Sequence, residues 1–139
     1  PILLSTVLGS TFSIIILYIL GKVFALPDDI FYATLPKSVT TAIALDIATK
    51  FGWNEALIPM MTVSTGIIGA VIAPVVAKFI KSPVAKGLAI GTSSHAVGTS
   101  KAIEMGEVEG AMSGLALSLA AISTSFIIPI LLTTIFKII

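Results

Sequence analysis

The chain has no cysteine and no arginine, and a single histidine among its 139 residues. Without cysteine there is no disulfide framework, thiol nucleophile or zinc–thiolate site. Without arginine there are no planar forks for bidentate phosphate recognition. One histidine with no second histidine nearby argues against a histidine metal site, and neither a metal nor a cofactor is expected. Charge is scarce too. Only 11% of residues are charged, the net charge is +1, and no basic tract points to nucleic acid.

What is there is apolar: 56% of the residues are hydrophobic. A water-soluble fold of this composition would expose large apolar patches and aggregate. A bilayer removes that penalty, because the surrounding medium is itself apolar. Three uncharged runs are long enough to span it as helices: Pro1 to Gly21, Ala56 to Ala77 and Gly110 to Phe136. The last two contain Pro59, Pro74 and Pro129, which membrane helices accept because neighbours satisfy the freed carbonyls. Gly66, Gly69, Ala70 and Ala73, spaced by three or four, favour close helix packing.

Two intervening segments, Asp28 to Gly52 and Ser82 to Gly106, are as long as spans but carry charges and polar middles, "LPKSVTT" and "GTSSHAVGT". Each reads as two half-helices with a non-helical joint. Pro36 disfavours helix at Leu35. Ser38 or a neighbouring threonine then caps a helix that stops at Gly52. In the second segment the joint falls at the hydroxyls around His95. At an offset of 58, Val39 matches Val97, Thr41 matches Thr99, Ala44 matches Ala102, Gly52 matches Gly110 and Leu57 matches Leu115. This suggests a duplicated unit, each copy followed by a full span.

The expected fold is therefore all-α: one polytopic membrane domain over residues 1–139, with three full spans and two broken helices. If the broken segments cross the membrane, Lys22, Lys78, Lys81, Lys86 and Lys137 share one side against Lys50 and Lys101. If they re-enter as hairpins, Lys78, Lys81, Lys86 and Lys101 oppose Lys22, Lys50 and Lys137. Crossing agrees better with the positive-inside bias. Hairpins inverted about a central span suit alternating access. The sequence leaves both open.

Half-helix N-termini present free N–H groups and a positive dipole end, which suit an anion. Those near Ser38, Thr40 and Thr41 and near Gly98 and Thr99 carry hydroxyls, and Lys37 adds a full charge. Together with Ser94 and His95 they form the candidate site for a small anion such as a carboxylate. His95 is either a proton acceptor or donor to substrate, or a histidine satisfied by backbone carbonyls. Lys37 either contacts substrate or snorkels to the interface. Asp46 either pairs with Lys50, which helical spacing favours, or binds a coupling cation. Glu104, Glu107 and Glu109 read as a solvated helix end, and Trp53 as an interfacial anchor. Ser94 and His95 are neighbours in sequence and do not by themselves make a nucleophile–base pair, so no enzyme is expected.

"LPKSVTTAIALDIA" and "GLAIGTSSHAVGTSKAIEMGEVEGAMSGLAL" closely resemble the LrgB/CidB family of antiholin-like membrane proteins, relatives of the plastid glycolate/glycerate translocators. The resemblance runs from about Leu35 to Phe136 and more loosely over the first span. The matching positions are Pro36, Lys37, Ser38, Val39, Thr40 and Thr41, then Ser94, His95, Gly98 and Thr99. It implies a multi-pass membrane protein that handles small monocarboxylates (glycolate, glycerate or pyruvate-like) or restrains a holin-like LrgA/CidA-type membrane partner in cell-wall turnover. It also implies a prokaryotic inner membrane rather than a plastid envelope. Lipid, a carboxylate, that partner and further copies of the chain are the expected partners. Family members are longer at the N-terminus and this chain opens on Pro1, so it is expected to be the C-terminal portion of a longer protein.

Overall fold

A computed structural model describes residues 1–135. Lys137 and the end of the third apolar run at Phe136 lie outside the described residues. Six α-helices follow one another: α1 (Ile2–Val23), α2 (Asp28–Thr34), α3 (Thr41–Phe51), α4 (Leu57–Ala77), α5 (Pro83–Met105) and α6 (Glu107–Ile130). A π-helical stretch, Leu131–Ile135, closes the described chain. Three helical stretches are long and apolar enough to cross a membrane: Ile2–Val23, Leu57–Ala77 and Glu107–Thr134. At 1.5 Å per residue each is at least about 30 Å long, the thickness of a bilayer's hydrocarbon core.

The distribution of polarity is that of a lipid-embedded bundle. Leu3, Leu8 and Phe12 on α1 and Ile67, Val71 and Phe79 on and just after α4 face outward, while Thr6, Ser10, Thr62, Ser94, His95, Ser113 and Thr124 are buried. In lipid the outer apolar face costs nothing; the inward hydroxyls of Thr62, Ser94 and Ser113 find backbone or side-chain partners, whereas those of Thr6 and Ser10 on α1 are buried without one among the described residues. Thr92, Thr99 and Ser123 each donate to the carbonyl four residues back.

The segment Asp28 to Gly52 is interrupted between Thr34 and Thr41. Pro36, which lacks an N–H, sits there, and isolated turns such as Lys37 N–H to Thr34 O and Val39 N–H to Pro36 O replace the helix ladder. α3 ends as expected at Gly52, whose left-handed conformation (φ 67°, ψ 30°) lets Gly52 N–H reach Thr49 O and Trp53 N–H reach Ala48 O. Trp53 then stacks on Tyr32 of α2 (5.3 Å) and on Phe51 (5.2 Å). A small groove brings Asp28 and Asp29, at the start of α2, beside Phe51 to Asn54, at the end of α3. α2 and α3 therefore run back to back, with Leu35 to Thr40 at the tip.

α5 is not one straight rod. His95 has φ 40° and ψ −141°, far from helical values. Gly87 lies against the backbone of Glu109, and Gly91 against that of Ser113. A straight helix would put Gly87 nearly 30 Å from Gly106, out of reach of the first turn of α6. The contacts close because the chain turns back at His95. The first arm, up to Ser94, runs alongside and parallel to α6, and the second arm returns to Gly106. Gly98 sits where the arms touch: a Cβ there would fall 2.4 Å from Ser94 Cβ. Ile103 of the second arm covers Gly110.

The two bent segments approach from opposite ends of the bundle. The first has its base near the end of α1 and the end of α6, in a core of Ile14, Phe31, Leu35, Ile47, Ile128, Leu131 and Leu132. The second has its base at the start of α6 and the C-terminal end of α4, where Ala73, Ile90 and Ala102 cluster. The offset of 58 does not superpose these units. It carries Gly52, a helix-ending glycine, onto Gly110 inside α6, whereas the glycine that ends the second arm is Gly106.

Candidate functional site

Both tips converge near the middle of α4, and two glycines of α4 make the room. A Cβ on Gly66 would lie 2.6 Å from His95 Cε1, and one on Gly69 would lie 1.9 Å from Ser94 Oγ. The sequence marks these glycines as helix-packing residues; what they pack against is the second tip.

A hydrogen-bonded chain joins the tips across α4. His95 Nε2 is 2.7 Å from the carbonyl oxygen of Thr62. A carbonyl only accepts, so Nε2 carries the proton and Nδ1 is left to accept, or to donate in the imidazolium form. Thr62 Oγ1 is 2.7 Å from Thr41 Oγ1, the first residue of α3, and also reaches Ile58 O at 3.1 Å. With Thr62's proton on Ile58 O, Thr41 is the donor of the pair.

Beside this chain lies a groove of about 390 Å³ between α4 and the first arm of α5, lined by Lys37, Thr65, Gly69, Ser93 and Ser94 at the tips and by Ile80 and Lys86 at the far end. Aliphatic side chains, Ile68, Ile72, Val76 and Ile90, form the walls between. Lys37 Nζ donates to Ser38 Oγ at 3.5 Å, and no acid among the described residues is within ion-pair distance of it. Lys86 pairs with Glu109 at 3.9 Å.

The candidate residues divide accordingly. Lys37 and Ser94 share the groove, and Thr41 and His95 share the hydrogen-bonded chain. Ser38 touches the ammonium of Lys37. Thr40 precedes α3 without a side-chain capping bond. Gly98 serves arm-to-arm packing, and Thr99 turns to α6, where its hydroxyl meets Ser113 Oγ at 2.9 Å. Ser94 Oγ pairs with Ser93 Oγ at 3.0 Å, while the His95 ring nitrogen turns to Thr62, so the two adjacent residues do not act on each other. Asp46 and Lys50 pair at 3.0 Å on the surface. Glu109 corrects the expectation of a solvated helix end: Glu104 and Glu107 are exposed, but Glu109 is buried against Gly106 and Lys86. Thr62, Thr65, Lys86 and Glu109 carry no signal of their own in the sequence, because their partners are remote along the chain.

The His95 backbone lies where glycine is comfortable and a β-carbon is not, a strain of about 1–3 kcal/mol that surrounding structure must offset. In a helix interior alanine normally outranks glycine by up to about 1 kcal/mol. At position 95 that order is expected to reverse. Both substitutions lose the Thr62 bond, but His95→Gly relieves the backbone whereas His95→Ala keeps the strain. Thermal unfolding of the full-length protein in detergent checks this; a His95→Ala variant more stable than His95→Gly would refute the strain.

Three helices long and apolar enough to span a bilayer, with two interrupted segments between them, define a polytopic α-helical membrane protein. Residues 1–134 match the model of the LrgB-like family, and the chain belongs to that family. It is 37% identical over 130 residues to the antiholin-like protein LrgB of Bacillus mycoides and to those of Bacillus cereus and Bacillus anthracis. The matched region covers 92% of this chain and 56% of each relative, so the chain spans about half the length of the curated relatives it matches. No solved structure matches it. Bacterial relatives and three apolar helices make this a multi-pass cell membrane protein.

Proposed function

We propose that this chain forms the solute-binding part of a membrane transporter for small monocarboxylates of the glycolate, glycerate or pyruvate kind. The observation that carries the reading is Lys37: an ammonium lining a groove at the meeting point of two chain interruptions, with no acid among the described residues within ion-pair distance. A charge held inside a membrane bundle is costly and finds a counter-charge where it can. Thr41, Ala42 and Ile43 start α3 with N–H groups that have no intrahelical acceptor, since the first bond of that helix is Ala44 N–H to Thr40 O, and these add positive potential at the same tip. Lys86 is balanced by Glu109, so the groove offers one net positive charge, which matches a monocarboxylate. The aliphatic walls suit a short carbon chain, and the hydroxyls of Thr65, Ser93 and Ser94 suit its polar substituents. In this reading His95, next in the chain to the groove-lining Ser94, exchanges a proton through Nδ1. The test is uptake of radiolabelled glycolate and pyruvate into vesicles containing the full-length protein, comparing wild type with Lys37→Ala and His95→Ala. Saturable uptake that both substitutions reduce supports the reading; uptake unchanged in both variants removes this site.

A second reading is favoured by the names of the relatives, antiholin-like proteins. In it the chain restrains a holin-like partner through a span face, such as the exposed Ile67, Val71 and Val75 of α4. Co-purification with a small holin-like membrane protein, abolished by substitutions on that face and indifferent to His95→Ala, would favour restraint over transport.

A further inference from the structure

The groove has a second lysine, and the transport reading leaves it without a role. The lining runs from Lys37, Ser94 and Thr65 near the middle of α4 to Ala77, Ile80 and Lys86 at its C-terminal end. Lys86 lies in the first turn of α5, where the first arm enters the bundle, so it stands at the outer end of the groove. Its partner Glu109 sits in the first turn of α6 and is 9% exposed. Their separation, 3.9 Å, is that of an ion pair without a tight hydrogen bond.

We propose that Lys86 is the first residue of the groove to take the substrate's carboxylate, and that Glu109 competes with the substrate for it, so that carboxylate capture is linked to protonation of Glu109. The inference rests on the transport reading above. A carboxylate arriving at Lys86 must draw the ammonium away from Glu109. That would leave a buried carboxylate without a counter-charge, which is strongly unfavourable. One proton, taken from hydronium in the aqueous medium at the groove mouth onto a carboxylate oxygen of Glu109, restores neutrality, and it is released to that medium as hydronium when Lys86 and Glu109 pair again. Apart from that O–H bond, made and then broken, no covalent bond changes, and no proton need cross the membrane.

The surroundings hold no alternative counter-ion. Among the described residues Lys86 is the one cation within ion-pair distance of Glu109. On the second arm of α5, Lys101 is bound to Glu104. Glu107, on α6 itself, and Lys78, at the end of α4, are exposed. The glycines fix the geometry. Gly87 brings the first arm onto the backbone of Glu109, and a Cβ on Gly106 would meet Glu109 Oε2 at 2.4 Å, so the carboxylate packs against that turn through Oε2.

The test is binding of radiolabelled glycolate and pyruvate to the detergent-purified full-length protein across neutral and mildly acidic pH. In wild type the apparent Kd is expected to fall as pH falls, approaching tenfold per unit where one proton is taken up on binding. Glu109→Gln, neutral and of the same shape, is expected to bind tightly at every pH with the slope lost. Lys86→Met is expected to bind weakly at every pH, also without the slope. If Glu109→Gln does not purify as a single species, Glu109→Asp serves instead: its shorter reach is expected to lower Kd at neutral pH and flatten the slope. A wild-type slope retained in the Glu109 variant, or a slope that only His95→Gln removes, overturns the proposal while leaving the transport reading intact. Absence of saturable binding by wild type removes the transport reading, and this inference with it.

Discussion

Lys37→Met in the full-length protein is expected to lower kcat/KM for monocarboxylate uptake by about 100-fold or more while leaving the fold as stable as before, or more so. Truncating one side of a desolvated charge pair costs about 2–5 kcal/mol, and in the proposed site that pair is formed only with the solute. Without solute, Lys37 has no acid partner among the described residues. Removing it therefore orphans no acid among the described residues and gives up only the long 3.5 Å bond to Ser38 Oγ, and methionine replaces its stem with a flexible apolar chain of similar length. This combination separates a binding lysine from a structural one, whose loss would lower uptake and stability together. Lys37→Arg is expected to restore only part of the activity: the charge remains, but a planar fork replaces a compact ammonium beside Ser38. Uptake kinetics and thermal unfolding on the same preparations check both outcomes.

Substitution of the α4 glycines is expected to be as damaging by a different route. Gly69→Ala places a methyl group 1.9 Å from Ser94 Oγ and 2.4 Å from Ser94 Cβ. A serine side chain is too short to swing clear, so the tip itself must move. Gly66→Ala presses on His95 Cε1 and Nε2 at 2.6 and 2.9 Å and breaks the ring's bond to Thr62. Overpacking of this kind costs about 1–3 kcal/mol, and displacement of a positioned site by about 1 Å can cost 100-fold in rate. Gly114→Ala is the control: a Cβ there meets nothing within 4 Å, and alanine in a helix is favoured by up to about 1 kcal/mol. Wild-type uptake by Gly69→Ala would show that the two tips need not meet across α4.

Some of this was legible along the chain. Uncharged runs the length of a bilayer identify the three spans, since each run's hydropathy depends only on its own residues. Pro36 and the hydroxyl-rich stretch around His95 mark where the backbone leaves helical geometry, and Gly52 marks where α3 ends. The Asp46–Lys50 pair follows from helical spacing alone. Other features were not legible, because their causes lie elsewhere in the chain. Nothing local to Thr62 indicates that its carbonyl holds the ring of a residue 33 positions away. Glu109 reads as a solvated end because its neighbours in sequence are acidic and polar; it is buried because Gly87 lets the first arm of α5 come down onto it. The offset of 58 aligns residue types but not helix ends, as greasy helices share many residues without sharing register.

By itself, the amino-acid sequence determined the helical, membrane-embedded class of this protein, the places where two helices are interrupted, and the supply of one lysine, one histidine and several hydroxyls at those places. These follow from composition and local backbone chemistry. Only the tertiary structure decided that α5 turns back at His95, that the second tip packs on the glycines of α4 while the first reaches Thr62, and that Lys86 has an acid partner where Lys37 has none among the described residues. Those outcomes depend on how closely helices approach and in which direction they run. Both are set by contacts between side chains far apart in sequence, which no local pattern encodes.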